Sequence, residues 1–363
     1  MTQDKTATVL GGGSWGTALA HVVASHGYKT LLWMRDEKVA KVINKTHRNP
    51  RYLSQFALHE GIEATTDLPL AAGFAETIIV AIPSKAMRKV AFNLGHHVSG
   101  DQILLSATKG LEVETLTRMS QILREETCIR KIGALSGPNL AAEVMLGHPS
   151  ATVVASRYEE VVNAAELLLA GPRFRLYGNL DIVGVELAGA LKNVIAIAAG
   201  ISSGLGFGAN TLSLLLTRGL AEIRRMGERL GAERDTFQGL AGFGDLVATC
   251  TSPLSRNHTV GRRLAGGETL EEIRADMHMV AEGVNTTAAV CRHARRLGVD
   301  MPIAAGMHQL LFEGAVLEEV IHDLMTRISV YEASYSAIHT PATLTTSIVE
   351  HAARVSAQRE ESE

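Results

Sequence analysis

A short apolar run, Ala7-Thr8-Val9-Leu10, passes straight into Gly11-Gly12-Gly13-Ser14-Trp15-Gly16, and residues 17–24 then carry a helical pattern. Strand, glycine turn and helix in this order leave few folds open. Each glycine of the G-x-G-x-x-G spacing has its own steric reason. Gly11 permits a tight turn, Gly13 lets backbone approach a pyrophosphate, and Gly16 lets helix pack closely on strand. The unbonded N–H groups at the helix start attract phosphate oxygens. A bare glycine triplet is a flexible turn; in this setting it predicts dinucleotide binding.

The rest of the first half continues the theme. Residues 30–34, 77–83, 102–106, 131–135, 150–155 and 174–177 read as strands, several of them apolar without interruption. That character suits a parallel sheet covered on both faces. Helical patterns lie between them, among others at 85–94 and 159–170. From Asp181 onward the strand signal vanishes. Helices are expected at 181–201, 210–230, 270–275, 285–297 and 302–312, with Gly231, Gly298 and Gly314 as stops. The predicted class is α/β: an N-terminal Rossmann-type doubly wound parallel sheet followed by an all-helical C-terminal domain. The expected division is 1–179 for the dinucleotide, 180–327 for the substrate and 328–363 as a C-terminal extension. The extension is read as a Thr-, Ser- and Ala-rich stretch, one short helix at 348–358 and a frayed end.

Composition narrows the function. A net charge of −3 and only 4% aromatic residues argue against a nucleic-acid surface. Cys128, Cys250 and Cys291 stand far apart without a C-x-x-C, which points to a reducing compartment. The first residues lack the apolar core of a signal peptide. The longest near-apolar stretch, 194–208, is broken by Gly and Ser and is short of a membrane span. A cytoplasmic protein without integral membrane association is expected. The histidines are scattered, with neither H-E-x-x-H nor a Cys/His cluster, so no metal is expected.

At the end of the second strand the fingerprint calls for a residue that reads the adenosine ribose. Here Arg35 stands first and Asp36 follows. An arginine can pair with a 2′-phosphate, which favours NADP over NAD; the pair would otherwise be a solvated helix start. Lys109 follows the strand ending at Ser106, at the sheet edge where ligands sit, although a loop lysine is ordinarily a surface charge. Gly137 and Asn139 lie in a small-residue turn after the next strand, where Asn139 suits an N-cap. Gly184, Ala188, Lys192, Ala196 and Gly200 recur every four residues and share one helical face. A lysine amid small residues is either a proton donor of lowered pKa or a snorkelling side chain at a close helix crossing. Asp245 precedes a helical stretch and could be a simple cap. Ser255, Arg256 and Asn257 open another helix and together make a small anion site suited to a phosphate monoester. The Val280–Gly283 segment reads as a loop.

Taken in order, the segments GGGSWGTALA (11–20), ATKGLE (107–112), LSGPNLAAEV (135–144), GALKNVIAIAAG (189–200), GFGANT (206–211), TRGLAE (217–222), GFGDLVATCTSPLSRN (242–257) and VAEG (280–283) resemble the bacterial-type NAD(P)-dependent glycerol-3-phosphate dehydrogenases. The resemblance spans residues 6–327. It implies that Ser14, Trp15, Arg35, Lys109, Ala141, Arg256, Val280 and Glu282 contact the dinucleotide. It implies that Lys109, Gly137, Asn139, Lys192, Asp245, Ser255, Arg256 and Asn257 contact dihydroxyacetone phosphate or sn-glycerol 3-phosphate. Lys192 would take the proton in alcohol oxidation and give it in ketone reduction, with phospholipid synthesis as the destination and a homodimer as the assembly. Asn139 stands where relatives commonly carry Ser or Thr, and the extension after Arg327 has no counterpart. Reductases of 3-hydroxy acids or sugar acids also place a lysine on the first helix of a helical half. The Ser255-Arg256-Asn257 start together with Asp245 favours the phosphorylated substrate.

Overall fold

The computed structural model describes residues 5–277 and 281–327. Val280 and the 328–363 extension, with its expected helix at 348–358, lie outside the described residues. Residues up to Gly314 belong to one compact unit. A second unit begins at Ala315, and its described element is the helix Leu317–Thr326.

Eight strands form one sheet: β1 (Thr6–Leu10), β2 (Lys29–Trp33), β3 (Ile62–Thr65), β4 (Thr77–Val80), β5 (Ile103–Ser106), β6 (Lys131–Ser136), β7 (Ser150–Ala155) and β8 (Phe174–Asn179). Their order is β3-β2-β1-β4-β5-β6-β7-β8. The chain reverses direction across the sheet between β1 and β4, which opens a crevice at the carboxyl ends of those strands. The glycine turn leaves β1 at that crevice.

Alternation along the strands feeds two cores. Val9, Ile79 and Leu105 face one side, packed on Leu19 and Val23 of the helix Ser14–Ser25. Leu10, Ile78, Val80 and Leu104 face the other, packed on Met87 and Leu94 of the helix Met87–Gly95. A sheet buried on both faces must be apolar throughout, which is why these strands show no polar alternation.

Two strand expectations need correction. β3 was not anticipated, because only Ile62 and Ala64 are buried in its Ile62-Glu63-Ala64-Thr65 sequence. An edge strand with one wet face has no apolar run to announce it. The sheet is also not wholly parallel, since β7 runs antiparallel to β6. Their connection carries only the five-residue helix Ala141–Met145. At about 1.5 Å per residue such a helix cannot return the chain along a six-residue strand, so β7 turns back instead.

From Ile182 onward every regular element among the described residues is helical. The first, Ile182–Gly204, has 23 residues and is long and apolar enough to cross a membrane by length and composition. The expectation that no stretch reaches that length is therefore corrected. In its most apolar window 89% of the residues are buried inside the protein, so it is a core helix. It starts from a side-chain cap, with Gly184 N donating to Asp181 Oδ1 at 2.8 Å. Glu222, in the helix Ala209–Arg229, accepts from Ile303 N at 2.7 Å and Ala304 N at 3.2 Å and thereby holds the start of Pro302–His308.

The helix Arg256–Ala265 crosses Ile182–Gly204 with almost no space between them. A Cβ on Gly261 would lie 2.0 Å from Ile197 O, and one on Gly200 2.1 Å from His258 O. Backbone atoms cannot yield as side chains do. Gly261→Ala is expected to force the helices apart and destabilise the protein by about 1–3 kcal/mol, read as a lower Tm in thermal unfolding. An unchanged Tm would contradict this close approach.

Candidate active site

The glycine turn meets the demands of a phosphate cradle. Gly11 has φ +130°, and a Cβ there would lie 2.2 Å from Ala81 O. A Cβ on Gly16 would lie 1.9 Å from Gly11 O, so helix and turn touch through that glycine. Gly13 differs: a Cβ there meets nothing within 4 Å. Its openness faces no protein atom, as expected where a ligand comes close. Gly13 holds the N-cap position of Ser14–Ser25, offers no capping side chain, and no acidic residue stands in the first turn. The Trp15 indole Nε1 is buried without an acceptor. A dinucleotide pyrophosphate fits this end of the helix.

Beyond β2, Arg35 is exposed and makes no hydrogen bond or ion pair among the described residues. One oxygen of the Asp36 carboxylate is committed elsewhere. It caps the helix Glu37–Thr46, accepting from Lys38 N at 3.0 Å and Val39 N at 3.2 Å. A capped carboxylate is poorly placed to receive a ribose diol as well, whereas the arginine is available to an anion.

Three candidate side chains converge at the carboxyl edge of the sheet. Lys109, three residues past β5, donates from Nζ to Gly137 O and to Asp245 Oδ2, both at 2.8 Å. Lys192 donates from Nζ to Asp245 Oδ1 and to Thr249 Oγ1. One carboxylate thus bridges two lysines. Lys192 is 4% exposed and Asp245 1%. Lys192 therefore does not snorkel to water, and Asp245 is not a cap; it is the first residue of Asp245–Thr251 and spends both oxygens on the lysines. Thr249, one turn after Asp245 on the same face, was missed, although an i,i+4 polar pair beside a buried charge is a usable signal.

The helix carrying Lys192 reaches β6 through Gly189. A Cβ there would lie 2.6 Å from Ser136 Oγ, which is itself buried without a partner. Burial pushes the Lys192 ammonium down to about 7, with the repulsion of Lys109 and against the attraction of Asp245. The neighbouring Cys250 thiol is pushed up to about 12, chiefly by burial, so it stays protonated.

The other predicted residues divide. Ser255 caps Arg256–Ala265, accepting from His258 N at 3.3 Å. Arg256 is exposed beside this helix start and makes no hydrogen bond or ion pair among the described residues. Asn257 is buried and structural in its contacts: its Oδ1 accepts from Gly283 N and its Nδ2 donates to Asn193 Oδ1, each at 2.9 Å. Asn139 is not the expected N-cap, a position held by Leu140. Its amide instead donates to Ala151 O at 2.9 Å, and its oxygen accepts from Thr152 Oγ1 at 3.0 Å. Ala141 opens the short helix there. Gly137, at φ +140°, turns its carbonyl toward Lys109. Glu282 begins the helix Glu282–Leu297 rather than lying in a loop. Its carboxylate accepts from Ser84 N at 3.1 Å and Ser84 Oγ at 2.5 Å. That contact ties the helical half to the end of β4.

An open glycine cradle and two lysines, one of them buried, sharing a buried carboxylate at the edge of a doubly wound sheet define an NAD(P)-dependent oxidoreductase acting on a CH–OH group. Residues 6–162 match the family described as NAD-dependent glycerol-3-phosphate dehydrogenase N-terminus, and residues 181–322 match its C-terminus. The chain belongs to the NAD-dependent glycerol-3-phosphate dehydrogenase family. It is 49% identical over 318 residues to the glycerol-3-phosphate dehydrogenase [NAD(P)+] of Azotobacter vinelandii, covering 88% of this chain and 93% of that one. It is 44% identical over 326 residues to the enzyme of the same name from Teredinibacter turnerae, covering 90% and 96%. Among solved structures, the glycerol-3-phosphate dehydrogenase of Coxiella burnetii superposes with a TM-score of 0.86 at 34% identity, covering 89% of this chain and 99% of that one.

Proposed function

We propose that the chain catalyses reversible hydride transfer between NAD(P)H and dihydroxyacetone phosphate, giving sn-glycerol 3-phosphate for phospholipid synthesis. The observation that carries this is the Asp245 carboxylate bridging Lys192 and Lys109. When bound, the nicotinamide supplies or accepts the hydride; the side chains do the rest. Lys192, with a pKa near working pH, gives a proton to the ketone oxygen in reduction and takes it back in oxidation. Asp245 orients that amine, Thr249 accepts its second hydrogen bond, and Lys109 adds positive potential where the alkoxide develops. Arg256 and the Ser255-capped helix start hold the phosphate. Binding energy remote from the carbonyl then fixes its position. Asn139 and Gly137 shape the wall opposite, and Asn257 keeps Gly283 and Glu282 in register.

In this reading residues 1–179 hold the dinucleotide, through Gly11, Gly13, Ser14, Trp15, Gly16, Arg35, Lys109 and Ala141, with Arg256 and Glu282 contributing from the helical half. Residues 180–327 hold the substrate. A homodimer in the cytoplasm completes the proposal; the three free cysteines suit a reducing compartment. The unpartnered Arg35 beside a committed Asp36 favours NADP. Initial rates with dihydroxyacetone phosphate should favour NADPH over NADH roughly tenfold or more, the scale of one charge-assisted hydrogen bond. No turnover of this substrate with either cofactor, or faster turnover of a 3-hydroxy acid, would reject the reaction. Equal rates would reject the cofactor preference alone.

A further inference from the structure

The loop after the helix Glu37–Thr46 returns to the glycine turn. His47 O accepts from Leu58 N at 2.7 Å, closing the loop at its neck, and Arg48 Nη1 donates to Ser54 O and Gln55 O across it. At its centre stands Asn49, fully buried. The Asn49 amide donates to Gly12 O at 3.0 Å and to Thr17 Oγ1 at 2.9 Å. Its oxygen accepts from Arg51 N and Tyr52 N, both at 3.1 Å. A single buried side chain thus ties the backbone of Arg51 to the middle glycine of the cofactor turn. Four hydrogen bonds on one buried amide leave it little freedom.

The consequence is the position of the next charge. Arg51 Nη1 lies 4.0 Å from Asp36 Oδ2, with its side chain 55% exposed. Asp36 follows directly on Arg35 at the end of β2, the place where the fingerprint meets the adenosine ribose. Arg35, one residue before Asp36, and Arg51, 4.0 Å from its carboxylate, thus come from two different segments to the same end of β2. The Asp36 carboxylate has one oxygen engaged by the helix cap, so it offsets the Arg51 charge only in part. One arginine at such a site is common; a second, held there through the glycine turn itself, is an additional anion-reading group. The Cζ of Arg51 also stands 5.7 Å from the centre of the Tyr52 ring, which limits where the guanidinium swings.

We infer that Arg51, presented by Asn49, is a specificity-determining residue for the cofactor and forms with Arg35 a two-arginine clamp on the adenosine 2′-phosphate. This rests on the NADP preference proposed above and deepens it. Arg35 comes from the strand end and Arg51 from the loop, so the clamp grips the phosphate from two sides. A guanidinium offers a planar fork to phosphate oxygens, which an ammonium does not reproduce. The ribose 2′-hydroxyl of the unphosphorylated nucleotide gives the clamp no charge to hold.

Calorimetric titration with nicotinamide-free fragments tests this without turnover. The ligands are ADP-ribose and 2′-phospho-ADP-ribose, and the proteins are the parent chain, Arg35→Ala, Arg51→Ala and Arg51→Lys. Arg51→Ala is expected to weaken 2′-phospho-ADP-ribose roughly 10- to 100-fold, the range for one charge-assisted hydrogen bond, while ADP-ribose changes by less than about threefold, within the scatter of a surface substitution. Arg51→Lys should recover part of that loss. Arg51 is exposed, so the variant folds, and ADP-ribose binding reports on that directly. Arg51→Ala weakening both ligands equally, or neither, while Arg35→Ala abolishes the preference, overturns the role of Arg51 and leaves the NADP reading intact. A parent chain that binds the two fragments equally overturns both.

Discussion

Lys192→Ala is expected to bind NADPH as the parent chain does while reducing dihydroxyacetone phosphate roughly a thousandfold more slowly, the scale of losing a positioned proton donor. The geometry makes this a clean substitution. Lys192 and Lys109 share Asp245, so removing Lys192 leaves the carboxylate paired with Lys109 at 2.8 Å rather than buried alone. The usual penalty for stranding a buried charge is thereby reduced. The removed side chain leaves a gap beside Thr249 and Asp245, both of which accepted from it. A small alkylammonium ion is expected to enter that gap and restore part of the reduction rate. A variant with near-parental kcat, or one that loses NADPH binding in parallel, would remove Lys192 from the role of donor. Single-turnover measurement with prebound NADPH separates the two outcomes.

The residues of this site differed in how openly the sequence displayed them, and the difference has a physical origin. Gly11, Gly13 and Gly16 were legible because each answers a separate local steric demand, and the structure gives each a matching environment. Lys192 stood out because a long cation among small residues violates the expected helix pattern. Its partner did not: Asp245 is 53 positions away, and an acidic residue before a helical stretch reads equally well as a cap. Local sequence cannot distinguish a carboxylate facing its own N–H groups from one facing a lysine on another helix. The same ambiguity misled the reading of Asn139, whose amide bonds across to the β7 backbone rather than to its own helix. Glu282 looked like loop because Ala281 at the N-cap offers no capping side chain. Asn49 carried no signal at all: a lone asparagine before proline marks a turn, and only the fold reveals that it clamps the glycine loop. The fold class was readable from apolar periodicity, whereas β3 and the reversal of β7 were not. Edge pairing and connection geometry leave little trace in local composition.

Asp245→Asn is expected to move the pH dependence of reduction to lower pH and to cost at least tenfold in rate near pH 7.5. At Lys192, burial and Lys109 lower the ammonium to about 7, while Asp245 supplies the main upward pull and Cys250 a smaller one. Neutralising that carboxylate removes the main upward pull and leaves the two lowering influences dominant. The amide oxygen can still accept from one lysine, but its NH₂ then confronts the other, so neither lysine is held as before. Reduction needs the proton on Lys192, so in the parent chain kcat falls as pH rises through about 7; in Asp245→Asn the fall comes earlier. Oxidation needs the neutral amine, so its rising limb shifts the same way and that direction suffers less. Each pKa unit corresponds to about 1.4 kcal/mol between the protonation states. Stability follows with the same sign. Between a folded value of about 7 and the ordinary lysine value of 10.5 the unfolded chain binds the extra proton, so parental stability rises with pH across that window. Losing Asp245 extends the window below 7 and makes the variant less stable at neutral pH, which urea titrations at pH 6.5 and 9.5 would expose. Reduction and oxidation limbs that keep their parental positions would mean that Asp245 holds the helices together without governing the proton on Lys192.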